Sequence, residues 1–289
     1  MKKIIAVILS IVMTFSLIFT SCLVVFKCGI LNADFYINIA TKKNIYSNIS
    51  DSINSQIKDE LIKNNIVIDE SQSFITEEEC KEIVNDNFKN IFSYMNGKSN
   101  NINELDLSQF LVHVDAYVEK YLNENNIEKS KLTNDVKDNL NNKITKILKN
   151  NLDIMLLSKI VQSNMFSKFK SVISIVNSYL LYACLFIDVF LMFIIISLFK
   201  KNRIKMCNYL SNSYILSGLF LDIVFFSGFL CKNYRNAPIS PEYLKVFFGN
   251  IIGKYFVYFS VSGVVLLLIG LLIKIIQIGL YNKSAKIVD

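Results

Sequence analysis

Four long apolar runs and one long polar stretch organise this chain, and the order in which they come carries most of what can be read from it. Residues 4–26 contain no charge. As a helix they reach about 34 Å, enough to cross a hydrocarbon core roughly 30 Å thick. Three further runs, 172–199, 209–230 and 251–273, each exceed 20 residues and read as spans in the same way. The first run is too long for the apolar part of a secretory leader and lacks small residues at a cleavage site. The stretch "FTSCLVVFKC" at its end stays apolar after Cys22, so it reads as the end of a retained span, with lipidation or cleavage at Cys22 as the alternative.

Between the first and second runs the pattern changes to helical stripes. Ile45, Ile49, Ile53, Ile57 and Leu61 recur at four-residue spacing. Thr76 and Glu79 form a capping-box pair ahead of an apolar face made by Ile83, Val84, Phe88, Ile91, Phe92 and Met95, and Gly97 follows as a stop. Asp106 with Gln109 opens a third helix carrying Leu107, Phe110, Leu111, Val114, Val118, Tyr121 and Leu122. A fourth runs through Leu132, Val136, Leu140, Ile144, Ile147 and Leu148. From residue 31 to 217 there is one glycine, Gly97, and no proline, which disfavours hairpins and favours helices. Four amphipathic helices can share one core. The expected fold is therefore all-α: a four-span transmembrane protein with an extracytoplasmic helical-bundle domain inserted between spans 1 and 2.

The expected boundaries are an anchor at 1–27, the helical domain at 28–170, and a three-span bundle at 171–289 with a short cytoplasmic turn at 200–206 and an outer loop at 231–250. Within that loop, "APISPEYLKVFFGN" holds both prolines. Ser240 suits an N-cap, Pro241 the first helical position and Glu242 the positive end of the dipole. Tyr243, Leu244, Phe247 and Phe248 then read as an amphipathic lead-in lying in the membrane interface.

Charge adds orientation. "KKNRIK", between the second and third runs, holds four positive charges and no acid, which marks a cytoplasmic turn, and Lys2 and Lys3 put the amino terminus on that side. Lys and Arg near the span ends number eight on each side, so the density of charge in the short segments decides. The expectation is a multi-pass protein of the cell membrane with both termini cytoplasmic.

Composition agrees: 289 residues, 52% hydrophobic, 19% charged and mean hydropathy +0.38. The formal +7 does not point to nucleic acid, because residues 28–170 carry 17 Lys against 20 acids and the excess flanks the apolar runs. Inside the polar stretch, 28–128 has a net charge of −9 and 129–170 one of +6. The basic part reads as pairing with its acidic neighbours, with lipid headgroups or an acidic polymer as the alternative.

The candidate chemistry lies in the spans. Asp188 in "LFIDVFL" and Asp222 in "LFLDIVF" sit near the middle of the second and third, where a carboxylate costs about 2.5–3.5 kcal/mol to insert. Such a residue has to face protein or water, lose its charge or find a partner. Asn177 and Tyr214 share their helical faces, and Tyr258 and Ser262 lie on one side of the fourth span, with Gly263 and Gly270 permitting close approach. The two acids differ by about 7–8 Å in depth, too far apart for a shared proton. They read either as a path for protons or cations or as hydrogen-bonded glue between helices.

His113, the single histidine, reads as a core-edge residue. The six cysteines show no paired spacing, so no metal site and no disulfide framework is expected. No phosphate loop, nucleophile elbow, zinc-protease or dinucleotide motif is present, so no catalytic residue and no cofactor is expected. In order of parts alone, the chain resembles the permease subunits of the FtsX and MacB type, which pass motion from a cytoplasmic ATPase to an outer domain. Here only "MKK" and "KKNRIK" stand where those permeases carry their coupling segments. The leading expectation is a non-enzymatic membrane protein whose outer domain binds a partner or senses a signal. The expected partners are the bilayer and a protein or second copy; the alternative is a small transport component using Asp188 and Asp222.

Overall fold

The first apolar run folds as a helix, α1 (Lys2–Val25), extended by a π-helical turn at Phe26–Ile30. Ala6, Ser10, Met13, Leu17, Thr20 and Leu23 are buried at spacings of three or four, one narrow face. Ile4, Ile8, Ile11, Phe15 and Phe19 point away and are exposed. That distribution suits a helix with protein on one side and lipid on the other.

The computed structural model describes residues 2–69, 71–103, 105–124, 134–154, 173 and 179–285, apart from the side chains of 134–137, 233 and 283–285. Every regular element among them is a helix. After α1 come α2 (Ala33–Lys42), α3 (Ile45–Lys63), α4 (Glu77–Met95), α5 (Ser108–Glu124) and α6 (Asn134–Leu152). Then follow α7 (Leu181–Leu198), α8 (Arg203–Cys231) and α9 (Glu242–Ala285). Four helices, α1 with its π turn, α7, α8 and α9, are long and apolar enough to cross a membrane, so the chain is a multi-pass membrane protein.

Two compact units result. The apolar unit comprises Met1–Asn32, Ser171–Pro238 and Phe248–Asp289. The polar unit comprises Ala33–Lys170 and Ile239–Phe247.

In the polar unit the isoleucine stripe of α3 forms the centre: Ile45, Ile49, Ile53, Ile57 and Leu61 are at most 1% exposed. Around it lie Val84, Phe88, Ile91 and Phe92 from α4, Val114 and Val118 from α5, and Ile144 and Leu148 from α6. One helix is additional to the pattern read from the sequence. α2 follows the first span after two residues and buries Phe35, Tyr36, Ile39 and Ala40, with the Tyr36 ring stacked 4.8 Å from Phe92.

The helix ends explain how a chain so poor in glycine folds this way. At the start of α4, Glu79 N–H donates to Thr76 Oγ1 at 3.2 Å and Thr76 N–H to Glu79 Oε2 at 2.8 Å, the reciprocal capping box. At its end Gly97 has φ 71°, and the Lys98 N–H reaches back to Ser93 O at 2.8 Å. α3 stops in the same way with an asparagine: Asn65 has φ 60°, and Ile66 N–H donates to Leu61 O at 3.0 Å. Asparagine tolerates the left-handed region because its short polar side chain bonds locally, so it replaces glycine here. The expected cap of Asp106 with Gln109 is replaced by Asp106 Oδ1 accepting from Ser108 N and Oγ, at 3.0 and 2.6 Å.

Four further corrections concern the turn before α8, the segment before α9, its two aromatic residues and His113. The basic turn is shorter than 200–206, since α8 begins at Arg203 with the Asn202 side chain accepting from Lys205 N. The segment 231–250 is not all loop: α9 starts at Glu242, and the Pro241 carbonyl, not a Ser240 cap, accepts from Leu244 and Lys245. Tyr243 and Phe247 are not interfacial. They are buried in the polar unit, where the Tyr243 hydroxyl donates to Asn151 Oδ1 at 2.9 Å and Phe247 stacks 6.1 Å from Phe88. His113 is exposed, edge-on to Phe110, instead of lying at the core edge.

The basic helix α6 meets the acidic part of the unit at Lys143, whose ammonium is 2.5 Å from Glu60 Oε1. That hydrogen bond holds the Glu60 carboxyl below its ordinary value of 4.5, against the opposing effect of burial. A depressed carboxyl adds stability at neutral pH and loses it as the pH falls through the folded-state value. Lys143→Met is therefore expected to flatten the loss of stability below about pH 5, read from urea midpoints across a pH series.

Candidate intramembrane polar site

α7 is apolar on all sides, and its buried face is marked by Cys184, Asp188, Leu191 and Ile195. Asp188 is 8% exposed. Its Oδ2 accepts from Thr20 Oγ1 of α1 at 2.7 Å, and its Oδ1 is buried without a partner. Tyr214 of α8 is half-buried within electrostatic range of the same carboxyl.

Asp222 of α8 turns to a different helix. Its Oδ1 accepts from Ser260 Oγ of α9 at 3.1 Å. The space is open only because residue 263 is glycine: a Cβ there would lie 2.8 Å from the same oxygen. The two acids thus have separate partners, one on α1 and the other on α9.

The remaining candidates are placed as follows. Asn177 lies outside the described residues. Tyr258 is 36% exposed. Ser262 donates to Phe259 O of its own helix at 2.7 Å, so the hydroxyl on Asp222 comes from Ser260, two residues earlier. Among the described residues no cluster of His, Cys, Asp or Glu is arranged to hold a metal ion. The cysteines are free thiols, and in the polar unit burial pushes Cys80 up to about 12, which leaves it unreactive.

A second polar feature was not anticipated from the sequence. Ser10 and Ser213 hydroxyls meet at 2.7 Å, Ser213 Oγ also reaches Ser10 O at 3.0 Å, and Ser217 Oγ donates to Thr14 O at 3.1 Å. These small side chains let α1 and α8 approach closely, with each hydroxyl satisfied by the facing backbone. The signal available was the four-residue spacing of Ser10 with Thr14 and of Ser213 with Ser217.

Chemically, the arrangement binds helices together. Each acid accepts from a neighbouring hydroxyl, and the unfilled valence is Asp188 Oδ1. Comparison with protein-family models, with curated proteins and with solved structures finds no match to this chain.

Proposed function

We propose that this is a non-enzymatic integral membrane protein whose helical polar domain, held outside the cytoplasm with both termini inside, binds a partner or senses a signal. In this reading the four spans serve as anchor and relay. The observation that supports it best is α9. Its first residues bury Tyr243 and Phe247 in the polar unit, and without a break the same helix then carries Ser260, Gly263 and Gly270 against α8. An event that repacks the polar domain around Phe247 acts on a helix that is also a span, and a packed helix passes on such a shift as a unit. The basic residues of the turn before α8 and those at the amino terminus support the orientation.

A second reading, a small transport component, draws on the unpartnered Oδ1 of Asp188. The separate partners of Asp188 and Asp222 favour structural roles over a common path.

The test combines two measurements on the full-length protein. A photo-cross-linking residue at Val112, which is 63% exposed on α5, is expected to give a discrete adduct in intact cells. Ser99→Cys is expected to react with a membrane-impermeant thiol reagent from outside. Proton flux in liposomes is expected to be the same for the parent and for the double variant Asp188→Asn, Asp222→Asn. No adduct together with flux lost in the variant would overturn the proposal in favour of transport.

A further inference from the structure

A groove of about 270 Å3 lies between α8 and α9 within the apolar unit. Phe226 and Phe229 form its α8 wall, and Phe256, Val257, Val261 and Val264 its α9 wall. Close contact fixes the walls: a Cβ at Gly228 of α8 would lie 2.7 Å from the Phe256 ring, so that ring rests on the facing backbone. Among the described residues the only polar side chain in the lining is Ser260, and its hydroxyl is already donated to Asp222. The interior therefore favours an apolar occupant.

The shape says which kind. From Phe256 to Val265 the lining of α9 extends about 14 Å along the helix, so the volume corresponds to a cross-section of about 20 Å2. One hydrocarbon chain fits that width, whereas a helix with its side chains, about 10–12 Å across, does not enter it.

The end of the groove marked by Phe229 and Phe256 adds charge. Just beyond it Lys232, Arg235 and Lys254 are all exposed, and residues 231–238 and 248–260 contain no acid. Arg235 is held beside the groove. Its guanidinium lies over the Tyr234 ring at 5.8 Å, that ring is 5.4 Å from Phe256, and the Arg235 stem packs 3.7 Å from the place of a Cβ at Gly249. Lys254 precedes Val257 by one turn and Val261 by two, on the same face of α9. In the orientation proposed above these cations lie on the side where the positive-inside rule does not call for them, so orientation does not account for their presence.

We propose that this site seats one anionic glycerophospholipid, an acyl chain in the groove between α8 and α9 and the phosphate between Arg235 and Lys254. A guanidinium matches two phosphate oxygens at once, and the ammonium adds a point charge. A second copy of the chain would bring the same three cations and no acid to this level, so like charges oppose it. The proposal goes beyond the partner-binding reading and holds for either orientation of the spans.

The chain has no Trp, so a single introduced one reports on its own surroundings. The test places full-length Phe226→Trp, at a lining position 50% exposed, and Phe190→Trp, 54% exposed on α7, in phosphatidylcholine liposomes. Quenching by brominated phosphatidylglycerol is compared with quenching by brominated phosphatidylcholine. At 226 the anionic lipid is expected to associate at least about tenfold more strongly, and at 190 within about twofold of the neutral one. Arg235→Gln with Lys254→Gln is expected to bring the preference at 226 down to about twofold or less. Excess glycerol phosphate, which has the charge without the chains, is expected to leave the quenching unchanged. Native mass spectrometry of the chain without a reporter is expected to show one retained phosphatidylglycerol, and Val261→Phe, which fills the groove and keeps the cations, is expected to lose it. The proposal fails if the two reporters show the same preference, if the preference survives the double Gln variant, or if Val261→Phe retains the lipid. Displacement by glycerol phosphate would assign the cations to a soluble phosphate instead, and a reporter at 226 that neither lipid quenches would mean that protein covers the groove; either result overturns the proposal. None of these outcomes moves the Val112 adduct, which reads the polar unit.

Discussion

Phe247→Ala is expected to destabilise the polar unit by about 3–5 kcal/mol, as large as any single core deletion in the protein. The ring is fully buried, stacked on Phe88, and lies one turn beyond Tyr243, which is itself held by Asn151. Truncation removes the transfer energy of the ring and leaves a cavity that a core already anchored on α3 cannot close. Val246→Ala, next in the chain and 38% exposed, is expected to cost less than about 1 kcal/mol. The measurement is the urea midpoint of the full-length protein, with protease sensitivity of the loop after Gly97 reporting on the polar unit alone. Equal costs for the two variants would mean that the head of α9 is not part of that core.

What separates the legible from the illegible here is whether an interaction leaves a periodic trace. The stripe of α3 and the face of α4 repeat at helical spacing, and the capping box and Gly97 are local chemistry within a few residues, so both could be read directly. α2 was missed because its apolar positions, Phe35, Tyr36, Ile39 and Ala40, follow immediately on a span and blur into its end. Tyr243 and Phe247 were visible as apolar residues beside a span. Whether such residues enter headgroups or a protein core depends on helices 90 residues and more away, as Asn151 and Phe88 do for this pair. The same holds in the membrane. Asp188 announces itself as an acid where none should be, but its partner Thr20 lies 168 residues away and has no signature beyond one hydroxyl in an apolar run.

Gly218→Leu is expected to disrupt the apolar unit by about 3 kcal/mol, a drop of about 6–12 °C in thermal midpoint for a unit of this size. A Cβ at 218 would lie 2.6 Å from Gly263 O and 2.8 Å from Leu267 N, backbone atoms that yield only if α8 and α9 move apart. Separation would pull Ser260 from Asp222 and open the approach of Gly270 to Ile215, so the cost spreads along the crossing. It would also load the opposite face of α8, where Ser213 and Ser217 are already committed to α1. Gly279→Leu is the matched control, since nothing lies within 4 Å of a Cβ there, and the exchange favours helix by about 0.5–1 kcal/mol. Both variants add the same side chain to the same helical bundle, so hydrophobicity and propensity cancel between them. A midpoint that falls for Gly218→Leu alone locates the stability of the spans in one close backbone crossing between α8 and α9. A midpoint that does not fall for Gly218→Leu would mean that the spans tolerate the separation of α8 from α9.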